Sequence, residues 1–238
     1  MSCKVMGIVN VTPDSFSDGG QFFRPEEAIR RAKNLLADGA DIIDLGGEST
    51  RPGATPISWE EEWKRIEPVL LGLVSSVSRP KSCISVDTYH PETAAKAIAA
   101  GAHIINCVYA EPIPEMLKLL EGNDVELVMP ASALSTRHQA LGTRLYLDPM
   151  IGFNTTREED VELLRSVPEL AKRGRVLVGA SRKRIVKKLV GSEGGVGKNV
   201  GGNVAIAVWA ALNGASVVRV HDVKETVQAL KVVEKLRG

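Results

Sequence analysis

The length of 238 residues is close to the roughly 250 typical of a β/α barrel, and it predicts one domain spanning residues 1–238. Apolar residues make up 44% of the chain and aromatic residues 4%, so an aliphatic core is expected. The formal net charge of +1 argues against a nucleic-acid or acidic-membrane partner, because either would require a basic surface. Any preference for an anion must therefore be local.

The cysteines and the first residues predict a cytoplasmic protein. Cys3, Cys83 and Cys107 follow no metal-binding or disulfide spacing, so reduced thiols are expected. The first apolar strand begins within five residues of Met1, which leaves no room for a signal or transit peptide. No apolar run reaches the roughly 20 residues of a membrane helix.

Short apolar runs alternate along the chain with longer stretches of helical periodicity. The predicted strands are Val5–Val11, Asp41–Leu45, Cys83–Val86, His103–Cys107, Val125–Met129, Arg144–Leu147, Arg175–Gly179 and Ser216–Val220. The predicted helices are Pro25–Ala37, Ser58–Val77, Pro91–Ala100, Pro114–Glu121, Arg157–Lys172, Asn203–Leu212 and Lys224–Leu236. This order indicates the α/β class, as either a closed (β/α)₈ TIM barrel or an open doubly wound sheet.

An internal repeat favours the barrel. The stretches Gly39–Asp44, Gly101–Asn106 and Gly214–Arg219 share one plan, in which a glycine ends a helix, an aliphatic strand follows and a polar residue ends the strand. Polar residues at the C-terminal ends of barrel strands are typical of catalytic or binding positions. Other predicted strands also end on polar groups, so we expect a polar site at this rim.

Two loops and the last strands suggest a phosphate or diphosphate site. Arg51 lies beside Ser49 and Thr50 and before Pro52, and a proline favours an extended backbone from which the guanidinium projects. The loops after strands 7 and 8 of a barrel commonly bind phosphate, and here they carry Ser181–Arg184 and Arg219–Asp222. Arg219 can equally lie flat on an aromatic ligand.

Asp87, Asn106 and Asp148 place two carboxylates and an amide at the same rim. Carboxylates accept paired hydrogen bonds from a heterocycle that presents several N–H donors. A divalent metal site is the competing interpretation. It ranks lower because the three residues come from three strands with no histidine among them.

The chain resembles the dihydropteroate synthase family, whose members are pterin-binding barrel enzymes. The resemblance is strongest in Asn10–Gly20, which reads NVTPDSFSDGG, and Gly46–Ala54, which reads GGESTRPGA. It implies condensation of 6-hydroxymethyl-7,8-dihydropterin diphosphate with p-aminobenzoate in folate biosynthesis, giving 7,8-dihydropteroate and diphosphate.

The resemblance also implies roles for individual residues. Asp87, Lys183 and Arg51 are the implied catalytic residues. The pterin ring is assigned to Asp87, Asn106, Asp148 and Lys183, with Arg219 stacked on it. The diphosphate and its Mg²⁺ are assigned to Asn10, Thr50, Arg51, Arg219 and His221. The p-aminobenzoate pocket is assigned to Phe16, Asp18, Ser49, Pro52 and Phe153.

The sequence departs from the family pattern between strands 4 and 6. Only 14 residues separate Met129 from Arg144, so the helix between strands 5 and 6 is expected to be missing or much shortened. Members of the family commonly dimerise through later helices, and we expect a homodimer that covers this gap. Other departures are Cys107 for Asp, Pro130 for His, Met150 and Asn154 for Gly, Thr155 for Lys, and Arg184 for Ser.

Two other functions remain open from the sequence. A pterin-binding methyltransferase shares the Asp, Asn and Asp pattern but binds no diphosphate, so it would lack the Arg51 loop and the Arg219–His221 pair. A non-catalytic pterin-binding paralogue is the other alternative, and substrate turnover distinguishes it from an enzyme.

Overall fold

Eight parallel strands close into a barrel in the computed structural model, which describes residues 3–12, 24–49, 54–76, 83–135, 141–191 and 199–238. Each strand pairs with the next in chain order, and the last pairs with the first. The closed sheet confirms the barrel and excludes the open sheet. The strands are β1 (Lys4–Asn10), β2 (Ile42–Gly46), β3 (Cys83–Asp87), β4 (Ile104–Asn106), β5 (Glu126–Pro130), β6 (Leu145–Asp148), β7 (Arg175–Val178) and β8 (Val217–Val220).

Helices surround the barrel close to the predicted positions. Within the described residues they are α1 (Pro25–Ala37), α2 (Trp59–Ser76), α3 (Pro91–Ala99), α4 (Ile113–Leu119), α5 (Arg157–Arg165), α6 (Val167–Ala171), α7 (Arg184–Val190), α8 (Val200–Leu212) and α9 (Val223–Arg237). The single helix predicted over Arg157–Lys172 is wrong, because the chain breaks at Ser166 and Pro168 begins α6 in its first turn. Helix α7 was not predicted, since seven residues show little periodicity.

The core has two parts that follow from the alternation of side chains along each strand. One cluster fills the inside of the barrel, and it contains Met6, Ile42, Ile104, Val128, Tyr146, Leu177 and Val217. The second packs between strands and helices and includes Ile43 and Leu70. Asp44 comes two residues after Ile42 and is therefore the next inward side chain towards the C-terminal rim. Apolar side chains fill the barrel beneath this rim, so a ligand has access only at the top.

The sector between β5 and β6 lacks the usual helix within the described residues. A short 3-10 turn, Ala131–Ala133, follows β5 directly, and residues 136–140 lie outside the described part of the chain. A cavity of about 320 Å³ lies here, lined in part by Ala131, Met150, Leu163 and Leu170. The missing or shortened helix is therefore confirmed.

Among the described residues, no helix is both long and apolar enough to span a lipid bilayer. The three cysteines are all free thiols, as expected.

Candidate active site

Polar side chains from neighbouring strands lie together at the C-terminal rim. Asp87 and Asn106 occupy matching register positions at the ends of β3 and β4, and Asp148 ends β6. Asn106 and Asp148 are almost fully buried, and Asp44 of β2 is fully buried. Water is thus largely excluded from these groups, which strengthens any hydrogen bond made there.

Arg219 of β8 connects two of the carboxylates. Its Nε donates to Asp44 Oδ2 at 2.6 Å, and its Nη2 donates to Asp87 Oδ2 at 2.6 Å. Asn106 Nδ2 also donates to Asp44 Oδ2, at 3.2 Å. Although burial alone favours a neutral guanidinium, Asp44 and Asp87 raise the pKa of Arg219 above its ordinary value. Arg219 therefore stays charged and keeps both ion pairs.

Lys183 lies just before α7 and reaches across to the loop after β6. Its ammonium donates to the Ile151 carbonyl at 2.6 Å and lies 4.2 Å from the centroid of the Phe153 ring. Gly152 has a φ of 78°, and a Cβ there would come within 2.9 Å of Lys183 Cδ. Only glycine gives this turn its backbone conformation and leaves the lysine its path.

Two groups in the site titrate near neutral pH. Burial raises the pKa of Asp87 to about 7, against the opposing effect of Arg219. Burial also raises the pKa of Asp148, although Lys183 opposes the shift. Burial lowers the pKa of Lys183 to about 8, and the carboxylate of Asp148 opposes that change. Shifts of this kind cluster at functional sites.

Asp160 of α5 organises the loop that follows β6. Its Oδ1 accepts hydrogen bonds from the Gly152 N–H and from Thr155 Oγ1, both at 2.6 Å. The Met150 N–H donates to Asp148 Oδ1 at 2.7 Å. The loop thus fixes the orientation of the Asp148 carboxylate.

The loops after β7 and β8 are tied together by side chains. Arg182 Nη2 donates to Asp222 Oδ1 at 2.6 Å, and Asn203 Nδ2 donates to Asp222 Oδ2 at 2.8 Å. Ser181 Oγ lies 3.1 Å from His221 Nδ1. Arg182 therefore links the loop after β7 to the loop after β8. His221 lies at the rim beside Ser181.

Sequence reasoning missed the residues that anchor the loop after β2. Glu48 is largely buried; Tyr89 Oη donates to its Oε1 at 2.7 Å, and His90 Nε2 lies 3.4 Å from its Oε2. Glu62 of α2 is fully buried and accepts from Thr88 Oγ1 at 2.6 Å. A buried carboxylate on a helix gives no sequence signal that separates it from an exposed one, so only the fold identifies these residues.

The side-chain amide oxygen of Asn10 lies at the end of β1, on the same side of Gly46 as Asp87. A Cβ on Gly46 would lie 3.8 Å from Asn10 Oδ1 and 3.9 Å from Asp87 Oδ2. No group of three or more His, Cys, Asp or Glu side chains within the described residues can hold a metal ion. Mg²⁺ commonly keeps several waters and takes one or two protein oxygens together with substrate phosphates. Asn10 fits that mode of binding, in which the diphosphate supplies further ligands.

The chain has close relatives among known proteins. The family model for pterin binding enzymes matches residues 6–142 and 131–221. The dihydropteroate synthase of Escherichia coli is 38% identical over 259 residues, which cover 97% of this chain and 90% of the relative. The chain belongs to the dihydropteroate synthase family.

Solved structures of dihydropteroate synthases have the same fold. The enzyme of Xanthomonas albilineans with 4-aminobenzoic acid matches with a TM-score of 0.86 and 40% identity, over 100% of this chain and 94% of that chain. The same enzyme in complex with 7,8-dihydropteroate matches with a TM-score of 0.84 and 37% identity, at the same coverage of both chains.

Two departures from the dihydropteroate synthase pattern adopt backbone conformations that favour glycine. Met150 has a φ of 66° and Asn154 a φ of 52°. The loop has therefore kept the left-handed conformation although the glycines are replaced. Asparagine tolerates the left-handed region because its short polar side chain can form local hydrogen bonds. Methionine has no such group to offset the strain.

The structure brings together all five predicted pterin residues, namely Asp87, Asn106, Asp148, Lys183 and Arg219. Asp44 was not among them, although it ends one of the internal repeats. Ser49 follows Glu48, and Phe153 lies beside Lys183. The remaining predicted residues, Phe16, Asp18, Thr50, Arg51 and Pro52, lie outside the described residues.

Proposed function

We propose that this chain condenses 6-hydroxymethyl-7,8-dihydropterin diphosphate with p-aminobenzoate, giving 7,8-dihydropteroate and diphosphate. The observation that carries the proposal is the buried set of acceptors formed by Asp87, Asn106 and Asp148, with Lys183 and Arg219 beside it. Membership of the family supports the synthase over a pterin-binding methyltransferase, and a substrate turnover assay separates it from a non-catalytic paralogue.

The acceptor set suits a pterin ring because the ring edge presents several N–H donors. Asp148 is held by the Met150 N–H, which uses one of its oxygens and directs the carboxylate. Charge-assisted hydrogen bonds of this kind are about twice as strong as neutral ones. Lys183 is proposed to donate a further hydrogen bond to the ring, and Arg219 is proposed to lie against it.

The reaction needs charge stabilisation at both ends of the substrate. The bond between the pterin methylene and the diphosphate oxygen breaks, and its electron pair leaves with the diphosphate. The methylene is then cationic and shares its charge with the electron-rich ring, which buried carboxylates stabilise. The amine lone pair of p-aminobenzoate forms the new C–N bond, and the nitrogen loses one proton. An aryl amine is already nucleophilic, so no strong general base is required.

The diphosphate is proposed to bind Thr50, Arg51, Arg219 and His221, with Mg²⁺ at Asn10. When bound, Mg²⁺ would neutralise part of the charge on the departing diphosphate. The amide of Asn10 would supply one of its oxygen ligands. His221 lies beside Ser181, and it is proposed to donate to a phosphate oxygen.

The p-aminobenzoate pocket is proposed to form from Phe16, Asp18, Ser49, Pro52 and Phe153. The solved relative with 4-aminobenzoic acid supports an aryl amine as the second substrate. The ammonium of Lys183 faces the ring of Phe153, which links the two substrate sites. Both substrates are small molecules of a cytoplasmic pathway, and neither a nucleic acid nor a membrane is a proposed partner.

A homodimer also belongs to the proposal. Exposed apolar side chains occur on neighbouring helices α7 and α8, where Leu189, Trp209 and Leu212 are each more than a third exposed. The cavity between β5 and β6 offers a second apolar surface. Light scattering at high micromolar concentration tests this part, and a well-behaved monomer would contradict it.

The decisive experiment measures diphosphate release from the pterin substrate with Mg²⁺, with and without p-aminobenzoate. We expect release that depends on p-aminobenzoate and an equal yield of 7,8-dihydropteroate. Asp124→Asn is a matched control for any Asp→Asn change in the site, because Asp124 is exposed and precedes β5 at the opposite rim. Pterin binding without any release would instead support the non-catalytic paralogue.

A further inference from the structure

Asp44 is the most deeply buried carboxylate of the rim, and it has no place in the proposed contacts with substrate. Its side chain is fully buried, whereas Asp87 keeps 12% of its side-chain surface exposed. Asp44 Oδ2 accepts two hydrogen bonds, from Arg219 Nε at 2.6 Å and from Asn106 Nδ2 at 3.2 Å. Its other oxygen, Oδ1, is buried and has no hydrogen-bond partner within the described residues, so the contacts through which Asp44 acts on other side chains are the two made by Oδ2.

The bond from Asn106 determines which way its amide faces. An ionised carboxylate only accepts hydrogen bonds, so the amide group that faces Asp44 must be the NH₂. The opposite end, Asn106 Oδ1, is buried and has no hydrogen-bond partner within the described residues. A buried unpaired oxygen is unfavourable in the free protein, and a ligand N–H would satisfy it.

Asp44 also fixes the orientation of the Arg219 guanidinium. The guanidinium bridges Asp44 on β2 and Asp87 on β3, so two bonds in different directions fix its plane. Gly179 lies on the other side, where a Cβ would be 3.9 Å from Arg219 Cδ. If Asp44 were absent, Nε would lose its acceptor and the guanidinium could rotate about its bond to Asp87.

We infer that Asp44 is a positioning residue that determines the specificity of the pterin site by fixing Asn106 as an acceptor and Arg219 in one plane. The inference rests on the proposed function, because it concerns the ring-binding part of the same site. With Asp44 in place, the site presents Asp87, Asn106 Oδ1 and Asp148 as acceptors, and it selects a ring edge made of N–H donors. In Asp44→Ala no acceptor holds this NH₂, so the Asn106 amide can reverse and present its NH₂ to the ligand.

A double-mutant cycle tests the inference, with 6-hydroxymethylpterin as the probe and calorimetry as the measurement. In the wild-type protein, Asn106→Ala should weaken binding of the probe by about 10-fold, the loss of one buried hydrogen bond. In the Asp44→Ala background, the same change should weaken binding by less than about 3-fold, since residues in one network are not additive. Equal losses in both backgrounds would overturn the inference.

Ser85→Ala serves as the matched control. Ser85 is paired in register with Asp44, and its Oγ is buried without a hydrogen-bond partner in the described part of the chain. The control should leave the effect of Asn106→Ala at about 10-fold, because Ser85 Oγ makes no hydrogen bond to Asn106. A cycle with Ser85→Ala as non-additive as that with Asp44→Ala would show a general disturbance of the barrel and would also overturn the inference.

A measurement on the wild-type protein covers the case in which Asp44→Ala does not fold. The side-chain ¹⁵N–H₂ resonances of Asn106, assigned by their loss in Asn106→Ala, should exchange slowly with water and change little when the probe binds. Large changes on binding would mean that the NH₂ faces the ligand, and Asp44 would then not set the amide. Failure of the wild-type protein to bind the probe would instead contradict the proposed function.

Discussion

Met150→Gly should give a more stable protein than Met150→Ala, because Met150 adopts a backbone conformation that disfavours every residue with a Cβ. Its φ is 66°, and the family pattern has glycine at this position. The left-handed region costs an L-residue about 1–2 kcal/mol. The hydrogen bond from the Met150 N–H to Asp148 Oδ1, at 2.7 Å, holds the residue in this left-handed conformation. The backbone strain at Met150 is therefore maintained by a residue of the site.

The magnitude is best isolated by comparing Met150→Gly with Met150→Ala. Both changes remove the side chain, which is half-buried and lines the cavity between β5 and β6. Glycine removes the backbone strain of the left-handed conformation, which is about 1–2 kcal/mol. The greater conformational freedom of glycine in the unfolded chain offsets about 0.5–1 kcal/mol of this gain. The free energy of unfolding of Met150→Gly should therefore exceed that of Met150→Ala by about 0.5–1 kcal/mol. This difference corresponds to roughly 1–4 °C in melting temperature for a chain of this size.

Thermal unfolding followed by circular dichroism measures the difference. Ala95→Gly is the control, since Ala95 is exposed inside helix α3 and glycine should there be worse by about 1 kcal/mol. Asn154→Gly should gain less than Met150→Gly, because asparagine tolerates the left-handed region. An alanine variant at position 150 as stable as the glycine variant would show that the backbone carries no strain there.

Three further predictions concern the site. Asp148→Asn should weaken binding of the pterin ring by about 1.5–3 kcal/mol, roughly 10- to 100-fold by calorimetry, and unchanged affinity would remove Asp148 from the site. Affinity for the ring should rise as the pH increases through about 7, where Asp87 ionises, and fall above about 8, where Lys183 loses its proton; a flat profile would contradict these assignments. Arg51→Ala should lower turnover by roughly 10²–10³-fold while ring binding is retained, whereas a parallel loss of both would make Arg51 structural.

The barrel could be predicted from the sequence because its signals are local. An aliphatic run followed by a polar residue recurs at Asp44, Asn106 and Arg219, and each of these positions lies at or near the end of a strand. The errors were local too. Pro168 is compatible with a helix start as well as a break, so the division between α5 and α6 depends on packing.

The pairing of residues within the site could not be predicted in the same way. Asp44 is 62 residues from Asn106 and 175 from Arg219, and no spacing in the sequence connects partners that distant. Glu48 shows the same limit, since its contact with Tyr89 joins the loop after β2 to the end of β3. The sequence therefore predicts which residues reach the rim, and the closed barrel decides which of them touch.

The charges of the rim suit the transition state more than the substrate. Asp44, Asp87 and Asp148 outnumber the two cations, Arg219 and Lys183, that face them within the described residues. The excess negative charge is in part why the pKa of Asp87 rises to about 7. A neutral pterin ring neutralises little of this excess negative charge. The cation that forms on loss of diphosphate neutralises it directly. Since only interactions that strengthen in the transition state accelerate the reaction, we infer that the carboxylates contribute to the departure of the diphosphate as well as to the binding of the ring.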